Sequence, residues 1–190
     1  AMVLASITMT RRADVRWLAH GAGRFFPADW EIFRNGVPEA ERDDLVAAYD
    51  RLLNHQPDDS VRERAAERWV AWEDALLSLE EGYEIPHPRW ADRRYRMAFA
   101  RLVTHYFSHA AWLEEDELLR NADRLAGIPG LLVHGRLDIE GPADVVPVVE
   151  GPRVRGRRRG GEEKRGCGCR SCHREPPPVE LRWADHRDIR

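Results

Sequence analysis

The residue best placed by its neighbours to do chemistry is Asp138. It closes Ile128-Pro-Gly-Leu-Leu-Val-His-Gly-Arg-Leu-Asp138, a short apolar run with turn signals on both sides. Such a run reads as a buried parallel strand, and in open α/β sheets ligands and catalytic groups gather beyond the carboxyl ends of strands. The plain alternative is an aspartate that only shapes the turn. Glu73 is the second candidate. It stands four residues after Trp69 and three before Leu76, so it shares the apolar stripe of a helix. An ionised carboxylate there costs on the order of several kcal/mol unless a cation meets it. That cation is a ligand's ammonium group or a neighbouring arginine, Arg68 or Arg101; otherwise the carboxylate reaches for water.

Cys167-Gly-Cys169-Arg-Ser-Cys172-His173 brings four metal-binding groups together in sequence. Cys169-x-x-Cys172-His173 matches the attachment string of a c-type haem, and thiolates with an imidazole suit zinc. Neither reading has a framework around it. No methionine follows Met97 to serve as a second axial ligand, and no second ligand pair accompanies the cysteines. The match reads as chance in a low-complexity tail. Cys167, Cys169, Cys172 and His173 are therefore weak metal candidates, and no metal or cofactor is assigned. His105, His109 and His134 lack a third partner at metal-ligand spacing and read as structural polar residues. The basic run over residues 153–165 could meet phosphates. No aromatics are interleaved for base stacking, so nucleic acid is not an expected partner.

These residues need elements to hold them. Residues 2–9 read as a short strand. Thr10 can cap a helix through Val15, Trp17 and Leu18 that stops near Gly21, and Pro27 suits the first turn of the next. Residues 43–53 are amphipathic, with Leu45, Tyr49, Leu52 and Leu53 on one face. Ser60-Val-Arg-Glu63 has the pattern of a capping box, opening a helix with Ala65, Trp69, Trp72 and Leu76 on its stripe. Asp92 starts a long helix whose expected buried face is Tyr95, Phe99, Leu102, Val103 and Tyr106. A further helix over residues 116–125 leads into the strand before Asp138. After Pro142 the helical period is lost.

Charge follows the same division. The net charge is −3 over 190 residues. From Pro152 onward there are 12 basic and 6 acidic residues, a net +6, which leaves −9 for the preceding part. The body reads as an acidic globule and the tail as a basic strip with too little apolar surface to offset chain entropy. No run approaches the roughly 20 apolar residues of a membrane span, so no membrane partner is expected. The body has no cysteine, which suits a reducing compartment, and a cytoplasmic location is expected.

Several stretches, in this order, carry a resemblance: Gly23-Arg-Phe-Phe-Pro-Ala-Asp-Trp-Glu31, Asp44-Leu-Val-Ala-Ala-Tyr49, Trp69-Val-Ala-Trp-Glu73, Met97-Ala-Phe-Ala-Arg101, His105-Tyr-Phe107, Glu117-Leu-Leu-Arg120 and the run ending at Asp138. Together they resemble the proline iminopeptidases, serine peptidases of the α/β-hydrolase fold, over residues 3–142. The resemblance implies a mostly α chain: the helical cap domain of an α/β-hydrolase, with one or two remnant core strands and a disordered basic tail. The implied divisions are a core strand (residues 1–9), the cap (10–126), a strand with its acid turn (127–142) and the tail (143–190).

The resemblance also implies roles. Asp138 would be the acid of a Ser-His-Asp triad, accepting the imidazole N–H and holding its tautomer. Glu73 would anchor the free N-terminus of a peptide substrate beginning with proline. Trp72, Phe107 and Trp112 would wall the pocket for the proline ring, although aromatics at helical spacing are more often core. The family's second amine-binding acid would fall at Val103, which loosens strict prolyl specificity. The G-x-S-x-G elbow and the HGG-type oxyanion motif do not occur in these residues and are expected upstream of Met2. No Gly-His pattern follows Asp138, so the tail is expected to be out of frame or unrelated, and the chain alone inactive. Two other readings stand: a non-catalytic helical module whose Cys/His tail holds metal or nucleic acid, and a hydrolase acting on another amide or ester. With so few strands, unpaired edges can also join a second copy.

Overall fold

In the computed structural model, residues 1–135 and 138–142 are described, together with the backbone of 180–184. Most of the described chain is helical. Strand β1 (Met2–Ala5) leads to α1 (Arg12–Ala19), α2 (Pro27–Arg34), α3 (Leu45–Asp50), α4 (Asp59–Leu77), α5 (Arg93–Ser108) and α6 (Glu117–Arg120), then to β2 (Gly130–Gly135) and β3 (Glu180–Ala184).

Local chemistry explains most helix starts. Pro27 opens α2 at a position whose N–H has no intrahelical partner. Asp44 Oδ1 accepts the Ala47 N–H at 3.0 Å to start α3. Asp92 Oδ1 accepts from the N–H groups of Arg94 and Tyr95 at the start of α5. Two expected caps are corrected. Thr10 has φ of 53° and does not cap α1. Arg11 holds that position instead, donating its N–H to Asp14 Oδ2 at 3.1 Å while its guanidinium grips the same carboxylate. Helix α4 begins ahead of Ser60, with the Asp58 carboxylate accepting the Ser60 N–H. Glu63 is thereby released from a capping box and pairs with Arg93 and Arg96.

The core is aromatic. Phe33 stacks on Tyr49 at 4.7 Å and on Trp72 at 5.4 Å, and meets the edge of Trp69 at 5.6 Å. Each such pair adds about 0.5–1.5 kcal/mol beyond area burial. The polar edges find partners. Tyr49 donates its hydroxyl to the Phe33 carbonyl at 2.7 Å, and Trp72 Nε1 donates to the Leu18 carbonyl at 3.1 Å. Gly36 lets this packing close, because a Cβ there would collide with the Tyr49 hydroxyl.

Helix α5 presents only part of the expected face, Phe99 and Val103. Tyr95, Leu102 and Tyr106 are 45–59% exposed, whereas Ala100 and Thr104 are buried. Met97, Phe99, Val103 and Phe107 pack partly against the core. The small residues let α5 approach α3 and α4 closely. The buried Thr104 hydroxyl is satisfied by donating to the Ala100 carbonyl at 2.8 Å.

The three strands form one parallel sheet in the order β1-β2-β3. Leu4 pairs with Leu132, and Leu132 with Leu181. The strand before Asp138 is thus central. The third strand is a correction, since the residues after Pro142 were expected to be structureless. The rest of that tail, including the cysteines and His173, lies outside the described residues.

Candidate active site

Asp138 lies in a turn just beyond the carboxyl end of β2. His134, buried on that strand, places Nε2 2.6 Å from the Gly141 carbonyl and 3.7 Å from Asp138 Oδ2. Asp138 Oδ1 accepts the Gly141 N–H at 2.9 Å. The aspartate therefore shapes its own turn while its second oxygen faces the strand's histidine. Trp17 Nε1 donates to the Ile139 carbonyl at 2.9 Å and ties the same turn to α1. His134 is structural, as expected: it locks the acid turn to the sheet.

This turn forms one wall of a cleft of about 210 Å³, lined among others by Ser6, Trp17, Leu18, Phe107, Asp138 and Glu140. Ser6 follows β1, Trp17 and Leu18 come from α1, and Phe107 comes from the last turn of α5. Sheet end, acid turn and helices thus converge on one space.

Glu73 is 3% exposed on α4. Trp69 Nε1 donates to its Oε1 at 2.8 Å. Neither arginine meets it: Arg68 donates to the Ile32 carbonyl and Arg101 to Asn54. Its neighbour is another acid, Glu140 of the cleft wall. Burial first, then the charge of Glu140, push the Glu73 carboxyl well above the ordinary range, while the Trp69 bond and Arg89 act the other way. Glu140 is raised as well, by burial and then by the charge of Asp138. Burial and neighbouring like charge thus disfavour the ionised form of both carboxyls.

Of the residues expected at the site, Asp138 and Phe107 line the cleft, and Glu73 reaches it through Glu140. Trp72 is corrected to a core residue. It is 1% exposed, stacked on Phe33 and one layer behind Leu18. Trp112 is corrected as well, since it is 57% exposed and packs against His105 and His109, away from the cleft wall. The sequence reading missed Glu140. Its signal was an acid two residues beyond Asp138, in a turn that had to fold back toward the helices. A second buried acid, Asp74, was also missed. It accepts from Trp90 Nε1 at 2.6 Å, the Tyr83 hydroxyl at 2.8 Å and the His87 N–H at 3.2 Å, and so fastens the loop after α4.

A helical body set against a parallel sheet brings the acid turn beyond the central strand into a cleft, with Glu140 on its wall and Glu73 buried behind. No family model matches the chain. Among curated proteins it is 41% identical over 145 residues to a proline iminopeptidase of Xanthomonas citri, covering 74% of this chain and 45% of that protein. It is 42% identical over 142 residues to a probable proline iminopeptidase of Streptomyces coelicolor, covering 72% and 43%. With a proline iminopeptidase of Neisseria gonorrhoeae the identity is 36% over 142 residues, covering 73% and 44%. The chain spans less than half the length of these relatives. Over the matched residues it belongs to the proline iminopeptidase family.

Proposed function

We propose that this chain is the cap and acid-turn portion of a serine aminopeptidase that releases N-terminal proline. In the whole enzyme a serine attacks the scissile carbonyl, a histidine takes and returns the proton, and Asp138 holds that histidine's tautomer through the oxygen left free of its turn. The helices roof the sheet as the cap of an α/β-hydrolase. Glu73 and Glu140 receive the substrate's charged imino group. Burial and like charge favour a proton on this pair, and the arriving cation takes its place, so binding releases it. Phe107 offers an apolar wall to the proline ring.

The observation that carries this reading is the contact of buried Glu73 with Glu140, which lines the cleft together with Asp138. It favours a cationic substrate over a neutral amide or ester, because a neutral group leaves the pair's charge unanswered. L-prolinamide is expected to bind the 190-residue chain, and N-acetyl-L-prolinamide is not. Calorimetry in two buffers of different ionisation enthalpy reads both the binding and the proton released. Equal binding of the two amides, or binding unchanged in Glu73→Gln, removes the proposal.

No G-x-S-x-G elbow occurs in the 190 residues. Turnover of a proline arylamide by this chain alone is therefore expected to be absent, and turnover blocked by a serine-directed inhibitor would overturn that. Among the described strands β1 lies at the sheet edge, with Val3 67% exposed. We propose that this edge pairs with a second copy; sedimentation equilibrium showing only monomer at high concentration would exclude it. Among the described residues no helix is long and apolar enough to cross a membrane.

A further inference from the structure

We propose that Asp50, His105 and His109 form a binding site for a divalent transition-metal ion of the zinc class, outside the acid cleft. Each offers one ligand atom, and the three atoms lie within 4.8 Å of one another. His105 and His109 are one turn apart at the end of α5, and Asp50 closes the site from the end of α3. A His-x-x-x-His pair spanning the last turn and the cap of a helix, with a carboxylate facing it, is a donor set that suits zinc, with a solvent molecule as fourth ligand.

The geometry of the individual atoms supports this assignment. His105 Nδ1 is buried and has no hydrogen-bond partner, yet it stands 3.4 Å from Asp50 Oδ1. Two donors each about 2.1 Å from a tetrahedral ion lie roughly 3.4 Å apart. An ion between them would satisfy the orphan nitrogen. His109 Nδ1 lies 2.9 Å from the His105 carbonyl, which leaves its Nε2 as the ligand nitrogen. A ligating histidine held through its other nitrogen to a backbone carbonyl is the usual second-layer arrangement of metal sites.

The remaining surroundings pre-orient the donors. Asp50 is buried, and Asn54 Nδ2 donates to its Oδ1 at 2.7 Å while also reaching the Arg101 carbonyl on α5. Trp112 stacks on His109 at 5.1 Å and meets His105 edge-on at 5.3 Å, covering one side of the pair with apolar surface. It is placed there by a run of left-handed backbone, with φ of 48°, 50° and 57° at Ala110, Ala111 and Trp112. None of these three has the glycine that such angles favour. An ion at this point would clamp α3 to the end of α5, whose Phe107 lines the cleft. Its role would be structural.

The test uses the full chain carrying Cys167→Ser, Cys169→Ser and Cys172→Ser, untagged and stripped of metal, so that the tail thiols cannot bind. Zinc is titrated by calorimetry, and cobalt by its visible absorption. One ion per chain is expected, with nitrogen and oxygen ligation in the cobalt spectrum and a higher Tm. His105→Gln and His109→Gln are each expected to weaken binding by at least about tenfold. His109 is exposed, so its variant folds even if the His105 variant does not. No binding by the cysteine-free chain, or unchanged affinity and Tm response in His109→Gln, overturns the proposal.

Discussion

Helix α4 carries two adjoining regions that follow opposite rules. In one, Trp69 and Trp72 enter an aromatic core in which the buried tyrosine hydroxyl and indole N–H groups have partners. In the other, one turn on from Trp69, Glu73 meets Glu140, which lines a cleft with a further acid, Asp138. The first region gains from every contact it makes. The second is held in an electrostatically poor arrangement by the first, because Trp69 both packs the core and donates to Glu73. A folding core can carry such a conflict when the conflict serves a ligand. The core should therefore be intolerant of change, and the acid pair tolerant in stability but not in binding.

The largest expected effect is at Trp69. Trp69→Ala removes a fully buried indole from the Phe33–Tyr49 cluster and is expected to cost about 3–5 kcal/mol, read as a fall in urea midpoint at constant slope. It also takes away the indole N–H that donates to Glu73. A loss below about 1 kcal/mol would mean that the two regions are not coupled through this side chain.

Gly36→Ala comes next. The added Cβ meets the Tyr49 hydroxyl, which is itself bonded to the Phe33 carbonyl. Overpacking of this kind costs about 1–3 kcal/mol. Thermal unfolding of Gly36→Ala beside Tyr49→Phe would locate the clash. If the double variant regains the stability of Tyr49→Phe alone, the hydroxyl is the obstacle; if it does not, the backbone at Gly36 is.

The sequence revealed the core more readily than the site. Leu45, Tyr49, Leu53, Trp69 and Trp72 are buried where periodicity placed them, because an apolar stripe has one physical solution. Helix α5 misled in part because Tyr95, Leu102 and Tyr106 lie away from the core, while Ala100 and Thr104 make the close contact between Phe99, Val103 and Phe107. Periodicity weighs size, and a tight helix crossing selects for smallness. Asp138 was legible from the strand before it. Glu140 was not, since its meaning depends on a turn folding back onto α4. Asp50 was hidden for the same reason: His105 and His109 lacked a third donor in sequence, and the donor came from another helix. Strand β3 was masked by a charged, low-complexity context, although backbone pairing with β2 requires little of its side chains.

The smallest effect on stability, and the sharpest on the comparison, is expected from Glu73→Gln. A raised carboxyl pKa in the folded state means that folding favours the protonated form. The stability linked to Glu73 is then fully present below the unfolded value, about 4.3, and is lost as pH rises through the higher folded value. Glutamine mimics the protonated acid and does not titrate, and it can still accept from Trp69. At low pH the variant and the parent should have nearly equal Tm. As pH rises above the ordinary carboxylate range the parent should fall behind the variant, while prolinamide binding persists only in the parent. Thermal unfolding across that range, run with and without prolinamide, reads both trends. A variant that is less stable at every pH would show Glu73 to be an ordinary member of the core, and the division between the two regions of α4 would disappear.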